Sequence, residues 1–321
     1  MTAGNAGAGM GLGLVFAVLV GLSWVVTGAA VGLAEKRGYG AWRHQFVYTS
    51  MYGLAAALVL AVGAARAPNV PAFSLRVDPA PALFVVLWGG LSYAQNVFVG
   101  AGMNRGPSGV VWTIAQSGFV LPVVLGFATG NTPLTAVRAA GVFSVLLGVV
   151  CCGRAKGNGK APHGKGWLVP ALLGFAFCGL NQCAQAAASF FPAQTRPSPL
   201  VRVLCGAVGV LAAVAVHRAA VRAARCVRRE ERPAPPSRYG PLAAICAVNA
   251  AVFFLAGFCF HYNALDRLEA AGKISAANPV MLAACLAGFL LYGAVALGEK
   301  PSAALFSGTV LAVAGAILVA V

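Results

Sequence analysis

The stretch GLGLVFAVLVGLSWVVTGAAVGLA, Gly11 to Ala34, holds no charged residue and is long enough to cross a bilayer as one helix. A hydrocarbon core ~30 Å thick takes roughly 20 residues at 1.5 Å rise. No basic residue precedes the run and it exceeds a signal-peptide core, so it reads as a retained first helix. Working outward, further apolar runs follow at 45–65, 82–102, 107–128, 134–153, 167–190, 199–217, 241–263, 271–297 and 301–321, with most of the charge in the gaps. The expected class is all-α: a polytopic membrane protein with ten transmembrane helices.

Composition excludes the main alternatives. Sixty per cent of residues are hydrophobic and nine per cent charged, whereas roughly a quarter of a soluble domain is charged. The nine cysteines lie in apolar runs except Cys226, with no C-x-x-C pair and no histidine cluster, so neither disulfides nor metal are expected. The net charge of +16 is parcelled among loops, which argues for membrane topology rather than nucleic acid as partner. One set of alternate connections carries Lys36, Arg37, Arg43, Arg105, Arg154, Lys156, Lys160, Lys165, the arginines from Arg218 to Arg238, and Lys300. The other carries only Arg66, Arg76, Arg138, Arg196, Arg202, Arg267 and Lys273. Cytoplasmic loops retain Lys and Arg, so the first set is expected in the cytoplasm and both termini outside. Beyond the seventh span, Arg218, Arg222, Arg225 and Arg229 form a basic helical stripe at headgroup depth, ended by ERPAPPS.

A Gly/Lys-rich linker, 154–166, divides the chain into a first repeat, 11–153, and a second, 167–321. Five helices per half means the second inserts upside down, the arrangement of inverted-repeat transporters. Asn104-Arg105 followed by Gln116 is echoed by Asp266-Arg267 followed by Asn278, and Pro133, Gly141 and Gly148 by Pro301, Gly308 and Gly315. The glycine spacing also suits plain close packing of membrane helices.

GEKPS at Gly298–Ser302 with the following LFSGTVLAVAGAILVAV resembles the junction of the last two helices in the drug/metabolite transporter superfamily. GNTPLTAVRAAGVFSVLLGVVCCG is its first-half counterpart, with Asn131 where the acidic residue commonly stands. NPVMLAACLAGFLLYGAVALGEKPS and FCGLNQCAQAAASFF are similar to the rhamnose–proton symporter and sugar-uptake members. The resemblance implies ten helices and transport, with cargo left open among amino acids, sugars, nucleotide sugars, phosphorylated metabolites and cationic drugs. The expected location is a bacterial inner (plasma) membrane.

Polar side chains inside a bilayer are costly unless they face a cavity or pair. Substrate-binding candidates are Tyr48, Tyr52, Tyr93, Asn96, Trp112, Gln116, Asn181, Gln185 and Asn278, the alternative for each amide being an interhelical bond. Amides, phenols and rings without a mid-membrane carboxylate suit a neutral polar cargo. Proton-coupling candidates are Asp266, Glu269, His261 and His44, although Glu269 and Lys273 are also spaced as a helix-surface ion pair. Glu299 is expected to stabilise the start of the last helix. Gly159–Lys165 imitates a P-loop but lacks the Ser or Thr that follows, and no protease or hydrolase motif occurs, so no catalytic residue, cofactor or metal site is expected. The expected function is secondary transport of a small polar solute, with membrane lipids and a second copy of the chain in a homodimer as partners. Export of amino acids or amphipathic metabolites is one alternative, and a non-transporting receptor or assembly subunit another.

Overall fold

The computed structural model describes residues 3–67, 69–70, 73–75, 77–128, 133–154, 166–187, 191–192, 195–228, 239–270, 277–299 and 302–320. Most of the expected linker, the P-loop imitation, Asn131, Lys273, the loop 229–238, Lys300 and Pro301 lie outside these residues.

Among the described residues the protein is all-helical. Its helices are α1 (Ala3–Lys36), α2 (Ala41–Arg66), α3 (Pro79–Arg105), α4 (Ser108–Gln116), α5 (Val120–Ala128), α6 (Ala136–Gly153), α7 (Leu168–Ala187), α8 (Pro199–Arg228), α9 (Gly240–Leu255), α10 (Tyr262–Ala270), α11 (Ala277–Ala296) and α12 (Ala303–Ala320). Among the described residues eight helical stretches are long and apolar enough to cross a membrane, and Gly240–Leu255 and Ala303–Val319 are shorter apolar helices. Large apolar side chains such as Leu54, Leu83, Phe143, Val216 and Val295 stand exposed on the outside of the bundle. That surface is suited to lipid and not to water, and the chain is an integral membrane protein.

Local chemistry sets the helix ends. Pro stands in the first turn of α3 and of α9, where its missing N–H costs nothing. Thr135 caps α6 by accepting from the Arg138 amide at 3.2 Å. α1 stops where Gly38 and Gly40 take φ of 75° and 76°, a region closed to most side chains. The Glu35 carboxylate accepts from the Ala41 amide and so caps α2 across that turn.

Two helical rods change their winding. Between α4 and α5 the chain passes through a 3-10 turn, Ser117–Phe119. Pro122 has no N–H to return to the Gly118 carbonyl, and the Ser117 hydroxyl bonds back to the Thr113 carbonyl at 2.8 Å; both loosen the α pattern there. Between α9 and α10 lies a π turn, Ala256–His261. The rod then runs on to Ala270, so Asp266 and Glu269 stand within a helix and not in the turn expected from sequence. YNALDRLEA continues because Ala264 and Leu268 are fully buried in a cluster with Ala17, Val20 and Met281. α8 runs on to Arg228, so Arg218, Arg222 and Arg225 of the expected basic stripe stand on a helical extension of the seventh span.

Packing joins the two halves of the chain throughout. α3 lies on α7 and α8, while the α9–α10 rod lies on α1 and α2. α1 lies on α11, and α7 lies on α4 and α5. The closest pairing is α6 with α12. A β-carbon built on Gly141 would sit 2.8 Å from the Gly315 carbonyl oxygen, and one on Gly148 2.7 Å from that of Gly308. The order is reversed along the two helices, so they run antiparallel with backbones in contact.

Candidate functional site

A cavity of about 130 Å³ lies between the halves. α1 contributes Ser23, Trp24 and Thr27, and α2 contributes Gln45, Tyr48 and Tyr52. From α3 come Trp88, Ser92, Gln95 and Asn96, and from α4 come Trp112 and Gln116. α7 adds Asn181, Gln182 and Gln185, and the π turn ends in it with Ala256 and His261. π turns inside α-helices recur at functional sites because they re-aim side chains locally.

The aromatic side of the wall is made of rings in mutual contact. Trp112 stacks on Phe289 with centroids 5.1 Å apart, and its indole N–H points to the Cys285 sulfur at 3.3 Å. Tyr48 meets Tyr52 at 4.9 Å and Phe253 at 5.7 Å, and Tyr52 meets Phe253 at 4.9 Å. Those contacts hold three rings on one face of α2 and α9. They also follow from the four-residue spacing of His44, Tyr48 and Tyr52, which the sequence displays.

The amide side is less fully engaged. Asn181 donates to the Gln95 oxygen at 2.9 Å, yet its own buried side-chain oxygen has no hydrogen-bond partner among the described residues. Such an atom costs roughly 1–3 kcal/mol when left unpaired, so it is an acceptor waiting for a donor. Among the described residues the Gln116 oxygen receives only a long contact, 3.7 Å, from the Cys178 thiol. A thiol is a weak donor, which leaves most of that amide's capacity for a ligand.

Seven of the nine substrate-binding candidates line the cavity: Tyr48, Tyr52, Asn96, Trp112, Gln116, Asn181 and Gln185. Two do not. Asn278 is exposed in the first described turn of α11. Tyr93 faces the other way on α3, its hydroxyl bonded to His217 of α8. Of the proton-coupling candidates, His261 lines the cavity. His44 is wholly buried behind the wall, with Gln45 at 3.3 Å from one ring nitrogen and Asn249 at 3.5 Å from the other. Asn249 in turn accepts from Thr27 at 3.0 Å. Asp266 and Glu269 stand on α10, beyond the π turn.

The geometry adds residues that periodicity does not single out, namely Ser23, Trp24, Thr27, Trp88, Ser92, Gln95 and Gln182. Neighbouring amides such as Gln95-Asn96 and Asn181-Gln182 point to different faces of an ideal helix, so spacing alone selects one of each pair. Trp24 and Trp88 count as ordinary apolar residues in a hydropathy reading. Among the described residues the wall carries no Asp, Glu, Lys or Arg.

Trp112 joins the cavity wall to a buried cluster with Val99, Met103, Val111, Trp167 and Phe289. Glu299 accepts from the amides of Ser108 and Gly109 at 3.0 and 3.1 Å, and Lys36 donates to the Ser108 hydroxyl at 2.9 Å. Glu299 therefore caps α4, in the other half of the chain, and not the last helix as expected.

No family model matches the chain, and no curated protein does. Fifteen chains of known structure match. One, a crystal structure described only as "Crystal structure of protein", is 19% identical with a TM-score of 0.53 over 97% of this chain and 96% of that one. The shared feature is the fold. It runs through both halves and both ends of the bundle, and carries nothing about cargo.

Proposed function

We propose that the chain is a secondary transporter of the drug/metabolite type, with ten membrane spans in two inverted five-helix repeats around a cargo cavity. The neighbour relations support the repeat: exchanging the first five helical rods with the last five turns each interface named above into another, and turns the antiparallel α6–α12 pair into itself. The cargo is a small, neutral, polar solute, sugar-like in its hydrogen bonding. One observation carries this reading, the uncharged wall of amides, hydroxyls and aromatic rings with an unpartnered acceptor on Asn181. Rings cover the flat apolar faces of such a solute while amides pair with its hydroxyls.

Size narrows the class further. About 130 Å³ is close to the ~150 Å³ that holds one benzene ring in an apolar core, so the cavity suits a single ring and not a nucleotide sugar. Rocking of the two repeats exposes it to each side in turn. If uptake is proton-driven, Asp266, Glu269 and His261 are the groups proposed to titrate. A double variant, Asp266→Asn with Glu269→Gln, then still exchanges cargo but no longer accumulates it on a pH gradient.

The test is a thermal-shift screen of purified protein against monosaccharides, polyols, neutral amino acids, nucleosides and quaternary amines. A ligand that binds only the folded state raises Tm by mass action. Stabilisation by a single-ring polyhydroxylated compound supports the reading, and stabilisation by quaternary amines alone overturns it.

A further inference from the structure

His44 is wholly buried, yet both of its ring nitrogens face side chains that lead back to the cavity. The Gln45 amide stands 3.3 Å from Nδ1, and Gln45 lines the wall. The Asn249 amide nitrogen stands 3.5 Å from Nε2, and the oxygen of that amide accepts from Thr27, also in the wall, at 3.0 Å. Contacts on its other sides place the ring. It stacks on Tyr48 with centroids 5.5 Å apart and planes within 6°, and the Cys246 thiol of α9 donates to the His44 carbonyl at 3.6 Å.

A neutral imidazole carries one N–H and one acceptor nitrogen, so the two amides must meet it in opposite senses. With Thr27 donating to the Asn249 oxygen, the Asn249 amide nitrogen donates to Nε2. The ring proton then sits on Nδ1, where an oxygen has to receive it. A half turn of the Gln45 amide exchanges its nitrogen and oxygen at unchanged shape, which supplies that oxygen and turns the NH2 group away from the ring. The opposite polarity would require turning Asn249, which is fully buried, and reversing its bond with Thr27.

We infer that His44 is a positioning residue that holds the Gln45 amide with its N–H edge toward the cavity, as a hydrogen-bond donor to the cargo. Asn181 on α7 offers an oxygen without a partner among the described residues. The wall then presents a donor from the first half of the chain and an acceptor from the second, a pair that a hydroxylated solute satisfies with its own oxygens and protons. The consequence for cargo rests on the transport reading, whereas the tautomer of His44 does not.

The full-length protein, labelled with nitrogen-15 in its histidine rings, is studied in detergent at neutral pH by two-bond proton–nitrogen correlation NMR. The His44 signals are identified by their loss in His44→Phe, or in His44→Asn should the first variant fail to fold. The expected result is a neutral ring protonated on Nδ1 with Nε2 as acceptor. A ring protonated on Nε2, a mixture of the two tautomers or an imidazolium overturns the inference, whatever the cargo. Affinity is then measured for D-glucose, D-galactose, D-xylose and L-rhamnose. His44→Phe keeps the stack on Tyr48 but has no ring nitrogen, and is expected to weaken the best-bound of these sugars roughly two- to twelvefold. His44→Asn, which carries an amide nitrogen near the place of Nδ1, is expected to restore most of that affinity. Equal losses in both variants, or a lowered Tm with affinity intact in both, would mean that the ring only packs. If the parent binds none of the four sugars, the cargo reading fails and the tautomer alone decides the role of His44.

Discussion

Glu299 accepts hydrogen bonds from the backbone amide of Ser108, and from that of Gly109 beside it, across 191 residues of chain. The carboxylate belongs to the turn after α11 but satisfies the first turn of α4, whose own preceding residue is Pro107 and offers no side-chain cap. A negative charge at a helix N-terminus also meets the favourable end of the helix dipole. Glu299→Ala is therefore expected to destabilise the protein by about 1–2 kcal/mol, the range of lost N-caps, and Glu299→Gln by less. Melting curves in detergent check this. Unchanged Tm for both variants would mean the bonds contribute nothing.

The glycine contacts between α6 and α12 make a second expectation. Gly141→Leu or Gly315→Leu forces a side chain into a backbone carbonyl, and overpacking of this kind costs about 1–3 kcal/mol or more. By contrast Gly11, with open space around its Cα, should accept Ala with no loss and a gain of up to about 1 kcal/mol in helix propensity. Equal tolerance at Gly141 and Gly11 would contradict the packing described.

Much of this architecture is legible in the amino-acid sequence alone. Hydropathy runs locate the helices because a membrane helix has to satisfy its own backbone and cover it with apolar side chains. The seven-residue glycine spacing in two places points to close packing, although only the folded chain shows that the two pairs meet each other. What stays hidden in the sequence is tertiary. Glu299 has no local sign that its partner is α4, and nothing in the spacing of Gln116 and Asn278 shows that one faces the cavity and the other lies exposed. Gln95 and Gln182 reach the cavity beside amides that periodicity selects, because the lumen-facing stripe of each helix is wide enough to hold two adjacent residues.

Binding should track the cavity and not the amide count. Asn181→Ala and Gln116→Ala are each expected to weaken cargo affinity by about 0.5–1.5 kcal/mol, roughly two- to twelvefold, with little change in stability. Asn278→Ala, outside the cavity, should leave affinity unchanged. Isothermal titration with the stabilising solute measures all three, and a loss at Asn278 as large as at Asn181 would move the site elsewhere.

Orientation follows from loop charge, with the end that bears Lys36, Arg105, Arg154 and Arg218 expected in the cytoplasm. In a background without native cysteines, Gly166→Cys at the start of α7 should resist a membrane-impermeant thiol reagent in intact cells and react once cells are opened. Labelling from outside would reverse the topology.

The central claim is that this cavity carries a solute across the bilayer, and counterflow measures that directly. Proteoliposomes holding unlabelled cargo at high concentration are diluted into labelled cargo, and the label inside is followed in time. The account predicts transient accumulation of label above its outside concentration in the parent protein, much reduced in the Asn181→Ala, Gln116→Ala double variant. Tight, saturable binding by the same protein with no counterflow at all would contradict it and point to a receptor.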